Sequence, residues 1–191
     1  LPFYKQASGP LHFESRWEQM KDLVCGLQPR TSKKKSLYSD PNFWVLGAVL
    51  EEVHQTSLWD IWQQLNAKNL RLQHTHFALD NRAPYKRSSY APTEWCPWRN
   101  KRLRGEVHDD NTWALGGVAP HAGLFGPISD LSEYGLLLRK AYRSLHGSRL
   151  ADHKMARQFT RRAVPAKYGD FALGFFKPTL GRASCGQYFS V

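Results

Sequence analysis

The chain has 191 residues, 41% of them hydrophobic and 13% aromatic, which is enough to bury a good core in one globular domain. Its apolar runs are too short for a transmembrane helix, which needs about 20 consecutive residues. The formal net charge of +11 favours attraction to a polyanion, with solvated surface as the alternative, and no nucleic-acid-binding motif accompanies it. The main basic clusters are Lys33-Lys34-Lys35, Arg99 with Lys101, Arg102 and Arg104, and Arg157 with Arg161 and Arg162.

The first predicted helix covers residues 14–27 and carries an apolar stripe at helical spacing. This stripe consists of Trp17, Met20, Val24 and Leu27. A polar and basic connector, residues 28–36, follows the helix.

The second predicted helix is the apolar segment that begins after Tyr38, and the rest of the chain is expected to be organised around it. Asp40 can accept hydrogen bonds from the free N–H groups of the first turn, and Pro41 suits the first helical position. We expect the helix to be buried and to hold Tyr38 rigidly at its entrance, a favourable geometry for a phenol that transfers a proton. The predicted buried stripe consists of Phe43, Leu46, Leu50 and Val53, widened by Trp44 and Val49.

Further helices and one strand are predicted in the remainder of the chain. Ser57 is the predicted N-cap of a third helix, with Leu58, Ile61, Trp62 and Leu65 on one face. Ser129 is predicted to cap a helix over residues 130–145, with Gly147 as its C′ residue. The apolar stripe of that helix consists of Leu131, Tyr134, Leu138, Ala141 and Leu145. A short helix is predicted over residues 152–160, a strand over 171–176, and a turn and strand over 181–191.

The three cysteines, Cys25, Cys96 and Cys185, are odd in number and widely spaced. No Cys-x-x-Cys pair is present, so the pattern predicts unpaired thiols and neither a zinc site nor a disulfide framework. His74 and His76 alternate around one residue, but no third ligand follows at a recognisable spacing. The sequence therefore predicts no metal and no cofactor.

Two runs rich in glycine and polar residues stand between the predicted elements. The first comprises Ala91-Pro92-Thr93-Glu94 and Gly105-Glu106-Val107-His108-Asp109-Asp110-Asn111, and the second is Gly116-Gly117-Val118-Ala119-Pro120-His121-Ala122-Gly123-Leu124-Phe125. Their glycines permit tight backbone with positive φ. His108, Asp109 and His121 supply histidine and carboxylate, the usual orienting pair in nucleophilic catalysis.

These motifs resemble the serine β-lactamase-like and penicillin-binding-protein-like hydrolases, which include class C β-lactamases, DD-peptidases and related esterases. Tyr38-Ser39-Asp40 resembles their Tyr-x-Asn element, and Leu46-Gly47 follows at the matching distance. The two later runs are very similar to a branch that reads Ala-Pro-Thr-Glu, Gly-x-Val-His-Asp-x-Asn-Ala and Gly-Gly-x-Ala-Gly-His-Ala-Gly-Leu-Phe. Thr112 and Pro120 depart from the Ala and Gly of that branch.

The resemblance implies an α/β fold of the β-lactamase/transpeptidase kind, mainly its helical subdomain with part of the antiparallel sheet. Residues 1–191 would form a single domain, incomplete at both ends, without the nucleophile helix and the last sheet strands. No Lys-Thr-Gly or His-Thr-Gly occurs, and the one formal Ser-x-x-Lys, at Ser32, lies in the basic connector. We therefore expect no nucleophile and no catalysis in this chain alone, and exposed apolar surface where missing strands would pack.

For the complete protein, the resemblance implies acyl transfer from an ester, peptide or lactam carbonyl through a serine acyl-enzyme. Tyr38 would be catalytic, and Asp40 would orient the substrate in place of the Asn of the family. Because a carboxylate cannot donate a hydrogen bond, this replacement favours an esterase or peptidase over efficient β-lactam hydrolysis. His108, Asp109, Asn111 and His121 would tie loops together by hydrogen bonds near the site, with substrate contact by His121 as the alternative. Gly123 would lie in the same loops.

The competing function is a non-catalytic or degenerate relative that binds a cell-wall polymer or a protein partner. The expected partners are a small-molecule or peptidoglycan-like substrate, a polyanion on the basic surface, and missing segments of the same polypeptide. The resemblance implies a periplasmic or other extracytoplasmic location, which the residues themselves leave open.

Overall fold

The computed structural model describes residues 2–6, 12–28, 36, 38–165 and 167–177. Its α-helices are α1 (Phe13–Cys25), α2 (Asp40–His54), α3 (Leu58–Leu65), α4 (Asp110–Ala114), α5 (Ile128–Arg143) and α6 (His153–Thr160). Short 3₁₀ turns cover Phe3–Lys5, Leu79–Asn81 and Arg87–Ser89, and a π-helical turn, Asn66–Leu70, follows α3. Its strands are β1 (His76–Phe77), β2 (Trp95–Cys96), β3 (Lys101–Arg102) and β4 (Leu124–Phe125).

The chain divides into two compact units. Unit 1 comprises residues 1–28 and 39–131, and unit 2 comprises residues 29–38 and 132–191. Helices dominate the described residues, and the strands form two short antiparallel pairs, β1 with β4 and β2 with β3. Among these residues, no helix combines the length and the apolar character that a membrane crossing requires.

The core of unit 1 forms where α1 and α2 pack together. Trp17 and Met20 of α1 are buried as predicted, whereas Leu27 of the same predicted stripe lies beyond the helix and is exposed. Trp44 of α2 is fully buried. A Cβ atom at Gly47 would lie 2.9 Å from the ring of Trp17, so the absence of a side chain there permits the close approach of the two helices. The buried cluster consists of Phe3, Phe13, Trp17, Met20, Trp44, Leu58, Phe77, Ala114, Leu115, Val118 and Ala119.

The buried face of α2 is not the predicted one. Leu46 and Val53 are 56% and 71% exposed, so the predicted stripe is wrong at these positions. Of its members only Trp44 is fully buried, and it packs inward together with Gly47. The helix carries apolar residues on nearly every side, and therefore periodicity alone does not select the face that is buried. The close fit of an indole ring against a glycine selects it instead.

Glu51 joins three helices of unit 1. Its carboxylate accepts hydrogen bonds from the indole N–H of Trp17 on α1 and from the backbone N–H of Leu58, 2.7 Å away, at the start of α3. Lys21 lies 3.4 Å from the same carboxylate. The N-cap prediction for Ser57 is confirmed, because its side chain accepts from the N–H of Asp60.

Unit 2 contains most of α5 and all of α6. Ser129 lies inside α5 and so does not cap it, and the predicted stripe is wrong at its ends, where Leu131 is 64% and Leu145 83% exposed. Asp152 caps α6 by accepting from the N–H of Met155 at 2.7 Å. The strand predicted over residues 171–176 is replaced by a tight turn with one antiparallel bridge, Phe171 to Phe176. The turn and strand predicted over residues 181–191 lie outside the described residues.

Candidate functional site

Tyr38 immediately precedes Ser39, the N-cap residue of α2. Its side chain is 55% exposed, so the phenol is not buried in packing. Asp40 is the first residue of α2, so Pro41 lies in the first turn, one position later than predicted. The backbone changes from extended at Ser39 to helical at Asp40 within one residue.

His121 is the centre of a buried hydrogen-bonded group in unit 1. Its side chain is only 2% exposed, and its Nε2 atom lies 3.2 Å from Oδ1 of Asp109 and 3.9 Å from Oδ2 of Asp40. Thr112 Oγ1 lies 3.2 Å from the same nitrogen. On the other side of the ring, the indole N–H of Trp44 donates to Nδ1 at 3.0 Å.

The bond from Trp44 determines the tautomer of His121. An indole N–H can only donate, so Nδ1 of His121 must accept and carries no proton. The proton of the neutral imidazole is therefore on Nε2, which donates to the carboxylate of Asp109. His121 is consequently oriented from both sides, by Trp44 of α2 and by Asp109, the N-cap residue of α4.

One carboxylate oxygen of Asp109, Oδ1, accepts two hydrogen bonds. As the N-cap of α4 it accepts from the N–H of Thr112 at 2.8 Å, and it also accepts from His121. Burial by itself would raise the pKa of Asp109, but the hydrogen bonds from His121 and Thr112 outweigh it and lower the pKa to about 2. The carboxylate therefore stays charged at any physiological pH.

Replacing Asp109 with Asn should destabilise the protein at neutral pH but not at low pH. The folded-state pKa is below the ordinary value, so the stabilisation is present above about pH 4 and disappears as the pH falls towards 2. Because the side chain is 37% exposed, solvent screening reduces the full linkage energy to about 1 kcal/mol. Asn also caps helices well, so the variant removes the charge and keeps the cap. Urea unfolding from pH 2 to 7 measures the difference.

Asp22→Asn is the matched control, since it removes one carboxylate from an exposed position on α1. Its effect on the free energy of unfolding at pH 7 should be much smaller than that of Asp109→Asn. An Asp109→Asn penalty that persists unchanged at pH 2 would contradict the assignment of the stabilisation to the charge.

Asn111 connects the Asp109 loop to the start of α2. Its Nδ2 atom donates to Oδ2 of Asp40 at 3.0 Å, and its Oδ1 atom accepts from the backbone N–H of Tyr4 at 3.3 Å. The side chain is 9% exposed, and the two bonds orient its amide so that it points a donor at Asp40. The motif pattern predicts that Asn111 ties loops together, but its partner on α2 is 71 positions away and has no signal in the sequence.

A cavity of about 320 Å³ in unit 1 is lined by several of the predicted site residues, His108, Asp109 and Asn111. His108 lies in an exposed pair with Glu94, 2.6 Å from its carboxylate. Gly123 has φ +114, and a Cβ there would lie 2.8 Å from the carbonyl oxygen of Gly117, so the loop that carries His121 requires glycine at this position.

Arg99, which the sequence places in a basic cluster, has a structural role. It donates to the carbonyl oxygens of Val107 and His108, at 2.9 and 2.8 Å, and forms an ion pair with Asp110 at 2.8 Å. Its side chain is 3% exposed, and its guanidinium lies over the rings of Trp98 and Trp113. This arginine fixes the backbone around Asp109 and is not part of a solvated basic surface.

Asp40, Asp109 and His121 place one ligand atom each within 4.8 Å of one another, a spacing that a metal ion could span. The tautomer of His121 opposes such a site. Coordination through Nε2 would require the proton on Nδ1, where it would face the indole N–H of Trp44. The arrangement instead suits an arriving ammonium group, because Asp40 and Asp109 present two carboxylates side by side.

Asp40 at the start of α2 and the loop that carries His121 lie in the motifs that resemble the β-lactamase-like and penicillin-binding-protein-like family. The family model described as Beta-lactamase matches residues 1–182, and the chain belongs to this family. The match confirms the resemblance and the α/β fold class, of which the described residues form a portion.

Curated relatives from Salmonella are similar to the chain over most of its length. A protein of Salmonella gallinarum is 30% identical over 83% of this chain and 39% of its own length, and one of Salmonella typhi is 30% identical over 98% and 45%. Both carry the name "Putative D-alanyl-D-alanine carboxypeptidase". The chain thus spans less than half the length of the curated relatives it matches. No solved structure matches it significantly.

Proposed function

We propose that this chain is part of a serine peptidase that removes the C-terminal D-alanine from peptides ending in D-alanyl-D-alanine. The observation that carries the proposal is the exposed Tyr38 at the entrance of α2, followed by Asp40, whose carboxylate is oriented by Asn111. The substrate class comes from the names of the relatives. Esters and β-lactams are the alternative substrate classes within the family.

The proposed reaction has two steps. A serine oxygen attacks the carbonyl carbon of the penultimate residue, the C–N bond breaks, and D-alanine leaves with an added proton, which leaves an acyl-enzyme ester. Water then attacks that ester, and the shortened peptide leaves as the serine recovers its hydroxyl proton. Tyr38 and a lysine share these proton transfers.

The serine and the lysine have no suitable place among these 191 residues. The one Ser-x-x-Lys, at Ser32, is set in a basic connector, whereas such a nucleophile belongs at the start of an apolar helix. We propose that another part of a longer polypeptide supplies both groups.

The charges of the site support this assignment of roles. The carboxylates of Asp40 and Asp109 both lie near Nε2 of the buried His121 ring, at 3.9 and 3.2 Å. Two carboxylates would hold a lysine ammonium firmly, while Asp40, having no proton to give, would act on substrate donors. This property favours a peptide substrate, which carries N–H groups, over a β-lactam whose carbonyl needs a donor.

The test is D-alanine release by the full-length protein. The expected result is release of D-alanine from a tripeptide ending in D-alanyl-D-alanine, with slower hydrolysis of a penicillin. A matched tripeptide ending in L-alanyl-L-alanine controls for general peptidase activity. A labelled fluorophosphonate that fails to modify the protein, together with no turnover of either peptide, would contradict the proposal and favour a non-catalytic binding relative.

A further inference from the structure

Unit 2 contains an open groove of about 1030 Å³, and its lining includes no residue of the Tyr38 turn or of the His121 loop. Helices α5 and α6 supply most of its lining. Six of the eleven lining residues are basic and none is acidic. The basic residues are Arg139, Lys154, Arg157, Arg161, Arg162 and Lys177.

The basic side chains follow one face of α6 and continue just past its end. Lys154, Arg157 and Arg161 are spaced at i, i+3 and i+7, which places them on one side of the helix. At 1.5 Å per residue the three charges extend over about 10 Å. Like charges at this spacing destabilise an isolated helix. An anionic chain that lies along the helix would therefore stabilise it by offsetting the repulsion.

Two of the six basic side chains already interact with other groups of the protein. Arg162 forms an ion pair with Asp170 at 2.7 Å and donates to the carbonyl oxygen of Gly169. The guanidinium of Arg157 lies 4.8 Å from the centre of the Tyr142 ring, which links α6 to α5. For the other four, the described part of the chain supplies no ion pair, and residues 178–191 contain no Asp or Glu.

Gly135 leaves the α5 wall of the groove open. No described atom lies within 4 Å of a Cβ built at this position, so packing does not require glycine there. A glycine inside a helix lowers its stability relative to alanine. Its effect here is to keep space open next to the basic face.

We propose that this groove binds a linear phosphodiester chain that carries no bases. Arginine and lysine together suit phosphate, and the volume and the charge spacing exceed what a single phosphate would fill. Binding of single-stranded nucleic acid relies on exposed aromatic faces. The one aromatic residue among the described lining residues is Tyr142, and Arg157 lies over its ring.

The first test measures binding of a fluorescent synthetic poly(glycerol phosphate) oligomer by anisotropy. The double variant Lys154→Glu/Arg161→Glu should weaken binding of the purified full-length protein about tenfold or more at low salt. The control variant Lys68→Glu/Lys86→Glu makes the same change in net charge at exposed positions outside the groove, and it should bind within about twofold of the wild type. Equal losses in the two variants would overturn the proposal, because they would reflect net charge alone.

A second variant tests the groove without altering any charge. Gly135→Leu should fill the open wall and weaken binding several-fold, while helix content stays the same or rises because leucine is a good helix former. Unchanged binding of the oligomer by a folded Gly135→Leu protein would show that the groove is not the binding site.

Two competing probes decide the chemistry of the ligand. A single-stranded oligodeoxynucleotide and a poly-L-glutamate, each matched in charge to the oligomer, should bind more weakly than the poly(glycerol phosphate). Equal or tighter binding of the oligonucleotide would overturn the assignment to a chain without bases, and equal binding of polyglutamate would overturn the assignment to phosphate. These measurements do not depend on peptidase activity, so the two proposals can fail separately.

Discussion

Tyr38→Phe should slow turnover of the full-length protein at least tenfold, because general acid–base groups contribute about 10²–10⁴ to the rate. The substitution removes one hydroxyl from a ring that is 55% exposed, so stability should change little. The loss is expected in kcat more than in KM, since the role proposed for the phenol is proton transfer and not holding the substrate. D-alanine release at saturating peptide measures it.

Tyr85→Phe is the matched control for this substitution. Tyr85 is 45% exposed, and its hydroxyl contacts His74, away from the residues assigned to the site. Its turnover should stay close to that of the wild type. Unchanged turnover in Tyr38→Phe would remove this phenol from the mechanism, even if the family assignment stands.

Gly117→Ala should cost about 3 kcal/mol or more of folding free energy, since it adds both an unfavourable positive φ and a steric overlap. Gly117 has φ +87, and a Cβ there would overlap the carbonyl oxygen of Ala78 far inside van der Waals contact. The overlap is with backbone, so no side-chain rotation relieves it. Because the same loop carries His121, the variant should also disturb the hydrogen bonds of that ring.

Gly135→Ala is the opposite control for Gly117→Ala. Gly135 is helical and has no described atom within 4 Å of an added Cβ. Alanine there should stabilise the protein by up to about 1 kcal/mol, through the higher helix propensity of alanine. Chemical denaturation of both variants gives the comparison, and a Gly117→Ala penalty below about 1 kcal/mol would contradict the close approach of Ala78.

Residues near one another in sequence account for the predictions that are confirmed. Ser57 caps α3 through a partner three residues away, as predicted, and the short helix predicted over residues 152–160 is found as α6. Pro41 in the first turn of α2, one position later than predicted, depends only on a local backbone angle. The family resemblance also rests on short runs with fixed spacing, and the family match over residues 1–182 confirms it.

The predictions that are wrong concern which side of a helix packs inward, where a helix begins and whether a segment forms a strand. Helix α2 is apolar around most of its circumference, and therefore its residues could not indicate that Gly47 packs inward beside Trp44 while Leu46 and Val53 are exposed. Ser129 has the right chemistry for an N-cap, yet α5 begins before it. The run from Phe171 to Phe176 has strand composition but closes on itself as a turn.

The sequence by itself determined the longer helices of this protein, all except α4, and its membership of the family, and it predicted which residues belong to the candidate site. The tertiary structure alone decided the partners of those residues. Trp44 and His121 are 77 positions apart, and Asp40 and Asn111 are 71 apart. Caps and turns depend on neighbours a few residues away, whereas the tautomer of His121 and the orientation of Asp40 depend on donors that only packing brings within hydrogen-bonding distance.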